Sequence, residues 1–462
     1  MKKLSLMLVA LFAGTMAFAQ TGEKQAIDQY GNQVDVKEVA ASSRDGIMVF
    51  ESKDKEYKLW FDCRVQADFG AYFGQQSWAD EIGNGASIRR ARFAVKGQIT
   101  PSWYGEIDME LANGSFELKD AIVRYTGLEN WQFTVGNMKP DFSISRNTSS
   151  RYLQFMERPM VVSAFAPSRH LGVFAKYANK YFFGSASVLF QEIEGQETRD
   201  FVETQNKDYG MDEGLSYVGK IVVRPVNEAN YGIHLGGAFM YDTPKTSDEN
   251  GVMGVTRYSC RNATNISRKK YVDTDDIKYT DHNNIVTAEL AGHYNGLRLE
   301  SAWMADWCYL DAEHALDKPY YFNGWYVEGG YLLFGGKQSY DSDGAKFNRV
   351  RNGRSWGDVE LALKYEYIDL NDYEGRASSE AIYGGSAELY GAGLNFYFAK
   401  NVKISLNYQY VNNDRYANGK GKLYCGLDAD GNATKDFTKV AMNPGEAGVN
   451  YHMLLARFQI AF

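Results

Sequence analysis

Five basic side chains lie within one 32-residue stretch, 139–170: Lys139, Arg146, Arg151, Arg158 and Arg169. They face only Asp141 and Glu157, on a chain whose net charge is -8. A guanidinium stays charged at any physiological pH and presents a planar fork of donors to phosphate or carboxylate oxygens. Lined up in a narrow passage, such groups would attract and guide small anions. The same stretch carries Phe142, Leu153, Phe155, Met156, Val161, Val162 and Phe165. That mixture suits a loop that packs against a wall on one side and meets water on the other. An alternative is that these arginines only pair with carboxylates of the wall or with surface lipopolysaccharide.

Other chemistry finds little support. None of the six histidines (His170, His234, His282, His293, His314, His452) stands in a G-x-S-x-G or H-E-x-x-H context, so no nucleophile and base can be paired and no catalytic residue is expected. Cys63, Cys260, Cys308 and Cys425 are far apart and lack metal-ligand spacing, which leaves up to two disulfides open. No cofactor is implied, and the acidic balance gives no reason to expect a nucleic-acid partner.

The elements that would hold the basic stretch are strands. In 451–462 (YHMLLARFQIAF), Leu454, Ala456, Phe458, Ile460 and Phe462 fall on one face, with Met453, Arg457 and Gln459 on the other. Sixteen such alternating stretches run from 57–70 to 450–462, an even number within the range of bacterial outer-membrane barrels. Short turns such as Pro101-Ser102, Asn179-Lys180, Asn295-Gly296 and Lys400-Asn401 alternate with the long connections 139–170, 192–214, 242–284 and 412–449. Only 334–356 breaks that alternation, being long where a turn is expected. Along 88–99, Arg90, Arg92 and Lys96 share a polar face; Glu106, Asp108 and Glu110 on the next strand place Arg92 near Glu110 and Lys96 near Glu106. The expected fold is all-β: a transmembrane antiparallel barrel of about sixteen strands, polar within.

The ends agree. Lys2 and Lys3, an apolar run over 4–12 and Ala17-Phe18-Ala19 read as a signal peptide over 1–19, too short to span a bilayer. Cleavage removes two lysines and no acid, taking the charge from -8 to -10. The division expected is therefore 1–19 signal peptide, 20–56 N-terminal periplasmic segment and 57–462 barrel. An aromatic last residue is the kind of ending the barrel assembly machinery is thought to read.

The ordered set Ile88-Arg89-Arg90-Ala91-Arg92-Phe93 with Gly97, Leu118–Tyr125 (LKDAIVRY), Val135–Phe142 (VGNMKPDF) and Ser149–Arg158 (SSRYLQFMER) resembles the phosphate-selective porin O and P family. Gly324-Trp325-Tyr326, Trp356-Gly357, Glu360 and Tyr365 extend the likeness downstream. The resemblance implies a trimeric outer-membrane porin whose third loop folds inward and whose basic residues guide phosphate-like anions. It assigns the constriction to Arg151 and Arg158, then to Arg146, Lys139 and Arg169, with Arg90, Arg92, Lys96 and Arg124 on the pore wall. Two further readings stay open: a general nutrient porin without phosphate selectivity, and a surface adhesin or scaffold barrel.

Overall fold

The computed structural model describes residues 25–112, 114, 116–193, 213–244, 246–247, 251–414, 422–442 and 447–462. The signal-peptide assignment falls outside the described residues. Alternation every second residue drives the chain into long strands, because an apolar outer face and a polar inner face cannot both be served by a helix. The barrel strands are β1 (Lys58–Phe73), β2 (Gly85–Thr100), β3 (Trp103–Glu110), β4 (Glu117–Tyr125), β5 (Trp131–Met138), β6 (His170–Ala178), β7 (Phe182–Leu189) and β8 (Leu215–Asn227). They continue with β9 (Tyr231–Thr243), β10 (Thr280–Tyr294), β11 (Leu297–Leu310), β12 (Tyr320–Leu332), β13 (Asp358–Asp372), β14 (Ile382–Ala399), β15 (Val402–Asp414) and β16 (Tyr451–Ala461). Each pairs antiparallel with its sequence neighbours, and β16 closes on β1 from His452↔Phe73 to Ala461↔Arg64. The sixteen-stranded closed barrel is thus as expected.

The faces sort by charge. On β16, Met453, Leu455, Arg457 and Gln459 are buried inside, whereas Leu454, Phe458 and Ile460 are about half exposed on the outer wall. On β1, Arg64, Gln66 and Asp68 point inward and Val65, Phe69 and Phe73 outward. Several strands run a few residues further toward the long-loop rim than alternation alone indicates; β10 begins at Thr280 and β14 at Ile382. Backbone pairing continues there without an apolar face to announce it. None of the four cysteines forms a disulfide. An N-terminal hairpin, Val39–Arg44 with Ile47–Ser52, extends the sheet at the start of β1, and its tip Asp45 meets Arg349 and Lys400 at the short-turn rim.

Among the described residues, three segments enter the lumen. The third loop, 139–169, enters between β5 and β6 and forms two short helices, α1 (Ile144–Asn147) and α2 (Met160–Phe165). Ser143 caps α1 by accepting the Arg146 N–H at 3.1 Å. Loop 254–279 folds down from the opposite side onto α2, so that Tyr258, Cys260, Tyr271 and Val272 share one apolar core with Met160, Val161, Val162 and Phe165. The long connection 334–356 explains the break in alternation. It starts at the short-turn rim but turns into the barrel, where Tyr340 bonds His234 at 2.7 Å and Phe347 packs with Ile144 of α1.

Candidate functional site

A loop with so little regular structure has many backbone N–H and C=O groups to satisfy. The barrel wall from β8 to β15 supplies the partners. Glu289 accepts the Ile144 N–H at 2.6 Å, Glu366 the Met160 N–H at 2.7 Å, and Asn407 the Met156 N–H at 3.0 Å. Arg298 donates to the Tyr152 carbonyl at 2.9 Å and Lys403 to the Leu153 carbonyl at 2.7 Å. The third loop is bonded to this wall, and its other face looks across the lumen at β1–β5.

Between that face and β1–β5 lies a polar cleft of about 540 Å³. Eight of the nine residues singled out in the sequence line it: Arg151, Arg158, Arg146, Lys139 and Arg169 from the loop, with Arg90, Arg92 and Lys96 from β2. Arg124 does not. It sits opposite Tyr104 near the short-turn end of β4, lies over that ring and donates to Thr134 at 3.1 Å. Parity puts its side chain inside the barrel, but its height on the strand takes it below the cleft.

The charges in the cleft divide into two kinds. One group is neutralised. Arg92 bonds Glu110 at 2.9 Å and Asp108 at 3.2 Å, as the register predicts, and Lys96 lies 3.1 Å from both Glu106 and Asp62. Arg169 grips Asp120 with two bonds of 2.9 and 3.1 Å, and Arg151 pairs with Asp62. Arg90 reaches Glu110 at 3.6 Å.

The other group meets neutral oxygens. Lys139 donates to the Arg146 carbonyl at 3.0 Å, Arg146 to the Pro167 carbonyl at 2.8 Å, and Arg158 to the Ser145 and Thr148 carbonyls at 2.9 and 2.6 Å. Arg64 donates to the Ser150 hydroxyl at 2.7 Å. Among the described residues none of these four has a carboxylate within ion-pair distance. A carbonyl fixes where a cation sits without cancelling its charge. Burial, then repulsion from Arg158, Arg169 and Arg146, presses the Lys139 ammonium well below its ordinary value. Burial and the neighbouring arginines press Arg146 and Arg158 downward as well.

Four basic residues of the cleft are not among the site residues read from sequence: Arg64, Arg89, Lys119 and Lys346. Arg64 is one alternation step from Asp62 on β1, a signal that was present. Arg89 points inward because a β-bulge opposite Gln66 and Ala67 inserts it as an extra residue in β2. It forms a two-bond pair with Glu157 at 2.7 and 2.9 Å. The carboxylates of Glu106, Asp108 and Asp120 approach within 4.8 Å of one another. Lys96, Arg92 and Arg169 already occupy them, so the group reads as part of the paired wall rather than a cation site.

A family model for phosphate-selective porins O and P matches residues 61–434. The chain belongs to this family. Porin O of Pseudomonas aeruginosa is 23% identical over 456 residues, covering 92% of this chain and 96% of its own length. An uncharacterised protein of Caulobacter vibrioides is 28% identical over 376 residues, covering 78% of this chain and 69% of its own. Among solved structures, an anion-selective porin from Comamonas acidovorans superposes with a TM-score of 0.49 at 11% identity, covering 88% of this chain and 100% of its own. Family membership makes the chain an outer-membrane channel protein of the porin type.

Proposed function

We propose that this porin is a passive channel for small phosphate-like oxyanions, and that the cleft between the third loop and β1–β5 is its constriction. The observation that supports this is the set of cations held only by neutral acceptors: Lys139, Arg146, Arg158 and Arg64. None is neutralised by a carboxylate, and an entering oxyanion would exchange lost hydration for their N–H groups and favour their charged forms. The paired residues Arg92, Lys96, Arg151 and Arg169 temper the field, so that binding stays weak enough for release. No bond is made or broken, and neither catalysis nor a cofactor enters this reading. In the same reading the chain is exported through its first nineteen residues, is folded by the barrel assembly machinery and functions as a homotrimer among lipid and lipopolysaccharide, as the family resemblance implies.

The test is reversal potential and phosphate block of chloride current in planar bilayers, wild type beside Arg64→Gln/Arg146→Gln. Anion selectivity with phosphate block, both lost in the double variant, is the expected outcome. An unselective wild-type current would overturn the phosphate reading and leave a general nutrient porin. A selective current indifferent to the substitutions would move the constriction elsewhere.

A further inference from the structure

Asp306 is wholly buried on the lumenal face of β11, and the polar groups that reach its carboxylate are the Tyr258 hydroxyl and the Trp307 N–H. The register sets Ile285 of β10 on one side of it and Phe322 of β12 on the other. Both belong to the apolar core on which loop 254–279 rests against α2. Tyr258 of that loop covers the site. Its ring stands edge-on to Phe165 of α2, 5.1 Å between centroids, and tilts against Phe322 at 5.8 Å.

The ionisable groups facing Asp306 are Tyr258 from the loop, Asp242 from β9 and Cys308 from its own strand. Asp242 bonds Ser216 at 2.6 Å and Asn283 at 3.3 Å, and His170 faces it from β6. None of the groups facing Asp306 is a cation. A carboxylate ionised in that position would have only the Tyr258 hydroxyl and the Trp307 N–H to meet its charge, no cation, and a second acid beside it. Two ways out exist: the group keeps its proton, or the lid of Tyr258 lifts and admits water.

We infer that loop 254–279 is a proton-linked latch, seated on α2 while Asp306 carries a proton and unseated when Asp306 ionises. Release would uncover the α2 side of the lumen without disturbing the basic cleft across the barrel. The device is therefore independent of which anion the channel carries.

Cys260 supplies a native reporter, since it lies in the same loop and is only 3% exposed. The experiment is thiol labelling of the folded protein, with the modified residue identified by mass spectrometry. Wild type and Asp306→Asn are compared at each pH, so that the thiol's own titration cancels in the ratio. Equal rates at the acid end of the range and a wild-type rate about tenfold higher at its alkaline end are expected, because the amide keeps the shape and cannot ionise. Asp242→Asn removes the neighbouring like charge, so the acceleration should begin at lower pH than in wild type. A Cys260 rate ratio of one across the whole range overturns the latch. Should Asp306→Asn fail to fold, an Asp242→Asn profile superposing on wild type overturns it equally.

Discussion

On the β8–β15 side of the lumen, buried cations stand against carboxylates: Lys220 with Glu289, Arg298 with Glu300 and Lys364 with Glu366. Across the barrel, Lys139, Arg146 and Arg158 are no less constrained, yet their partners are main-chain carbonyls. Parity along the strands places charge inside the barrel on both sides. The kind of acceptor decides what that charge does. On the β8–β15 side the charge serves as adhesive for a loop that has few internal hydrogen bonds; in the cleft, a cation that meets only carbonyls remains a field.

The largest effect should come from breaking the adhesive side. Glu289 holds Lys220 at 2.5 Å, His234 at 2.8 Å and the Ile144 N–H at 2.6 Å. Glu289→Leu would remove that partner from all three and leave Lys220 without its carboxylate, and leaving a buried charge unpaired costs about 3–5 kcal/mol. We expect the midpoint of urea unfolding to fall accordingly and single-channel current to become noisy as α1 loosens. Arg146→Gln loses one hydrogen bond to a carbonyl, about 1 kcal/mol, and should leave the midpoint nearly unchanged while selectivity falls. Equal destabilisation by the two substitutions would erase the distinction between the two sides.

How far the sequence carries a reader follows the same division. Strand number and facing are legible because alternation acts at every second residue, and Arg92↔Glu110 and Lys96↔Glu106 follow from one short turn. Arg89 is illegible because a bulge changes the parity at a single residue, with no mark in composition. The inward course of 334–356 shows only as an anomalous length, since what draws it in is distant: Arg224 reaches the Ser342 carbonyl at 2.8 Å and Gln338 reaches Glu360 at 2.9 Å. Whether an arginine will meet a carboxylate or a carbonyl is a tertiary fact. Arg151 and Arg158 look alike in sequence, yet one is neutralised by Asp62 and the other is not.

An intermediate effect is expected from pH on the field side. Because burial and its cationic neighbours depress Lys139, it loses its proton at lower pH than an exposed lysine, whose value is 10.5. Anion selectivity should therefore decline with rising pH well before 10.5 is reached, and bound phosphate should postpone the decline by favouring the charged form. Reversal potentials across that range, compared with Lys139→Gln, check the sign. The variant should start lower and stay flat, whereas parallel slopes would assign the titration to another group.

The smallest effect sharpens the comparison most. Asp62 neutralises Arg151, while Lys96 keeps Glu106 at 3.1 Å whether or not Asp62 is charged. Asp62→Asn would thus convert Arg151 alone from the paired to the unpaired kind, and half-inhibition by phosphate should need about three- to tenfold less ligand, the equivalent of roughly 1 kcal/mol. Asp68→Asn is the matched control. It also takes a carboxylate from an arginine, but Arg457 retains Glu157 at 2.8 Å and lies away from the cleft lining. Tighter block in the first variant and none in the second would show that a cation must both face the cleft and lack a carboxylate to attract the anion. If both variants tightened block alike, the overall charge of the lumen would be setting affinity, and the distinction between carbonyl-held and carboxylate-held cations would lose its functional meaning.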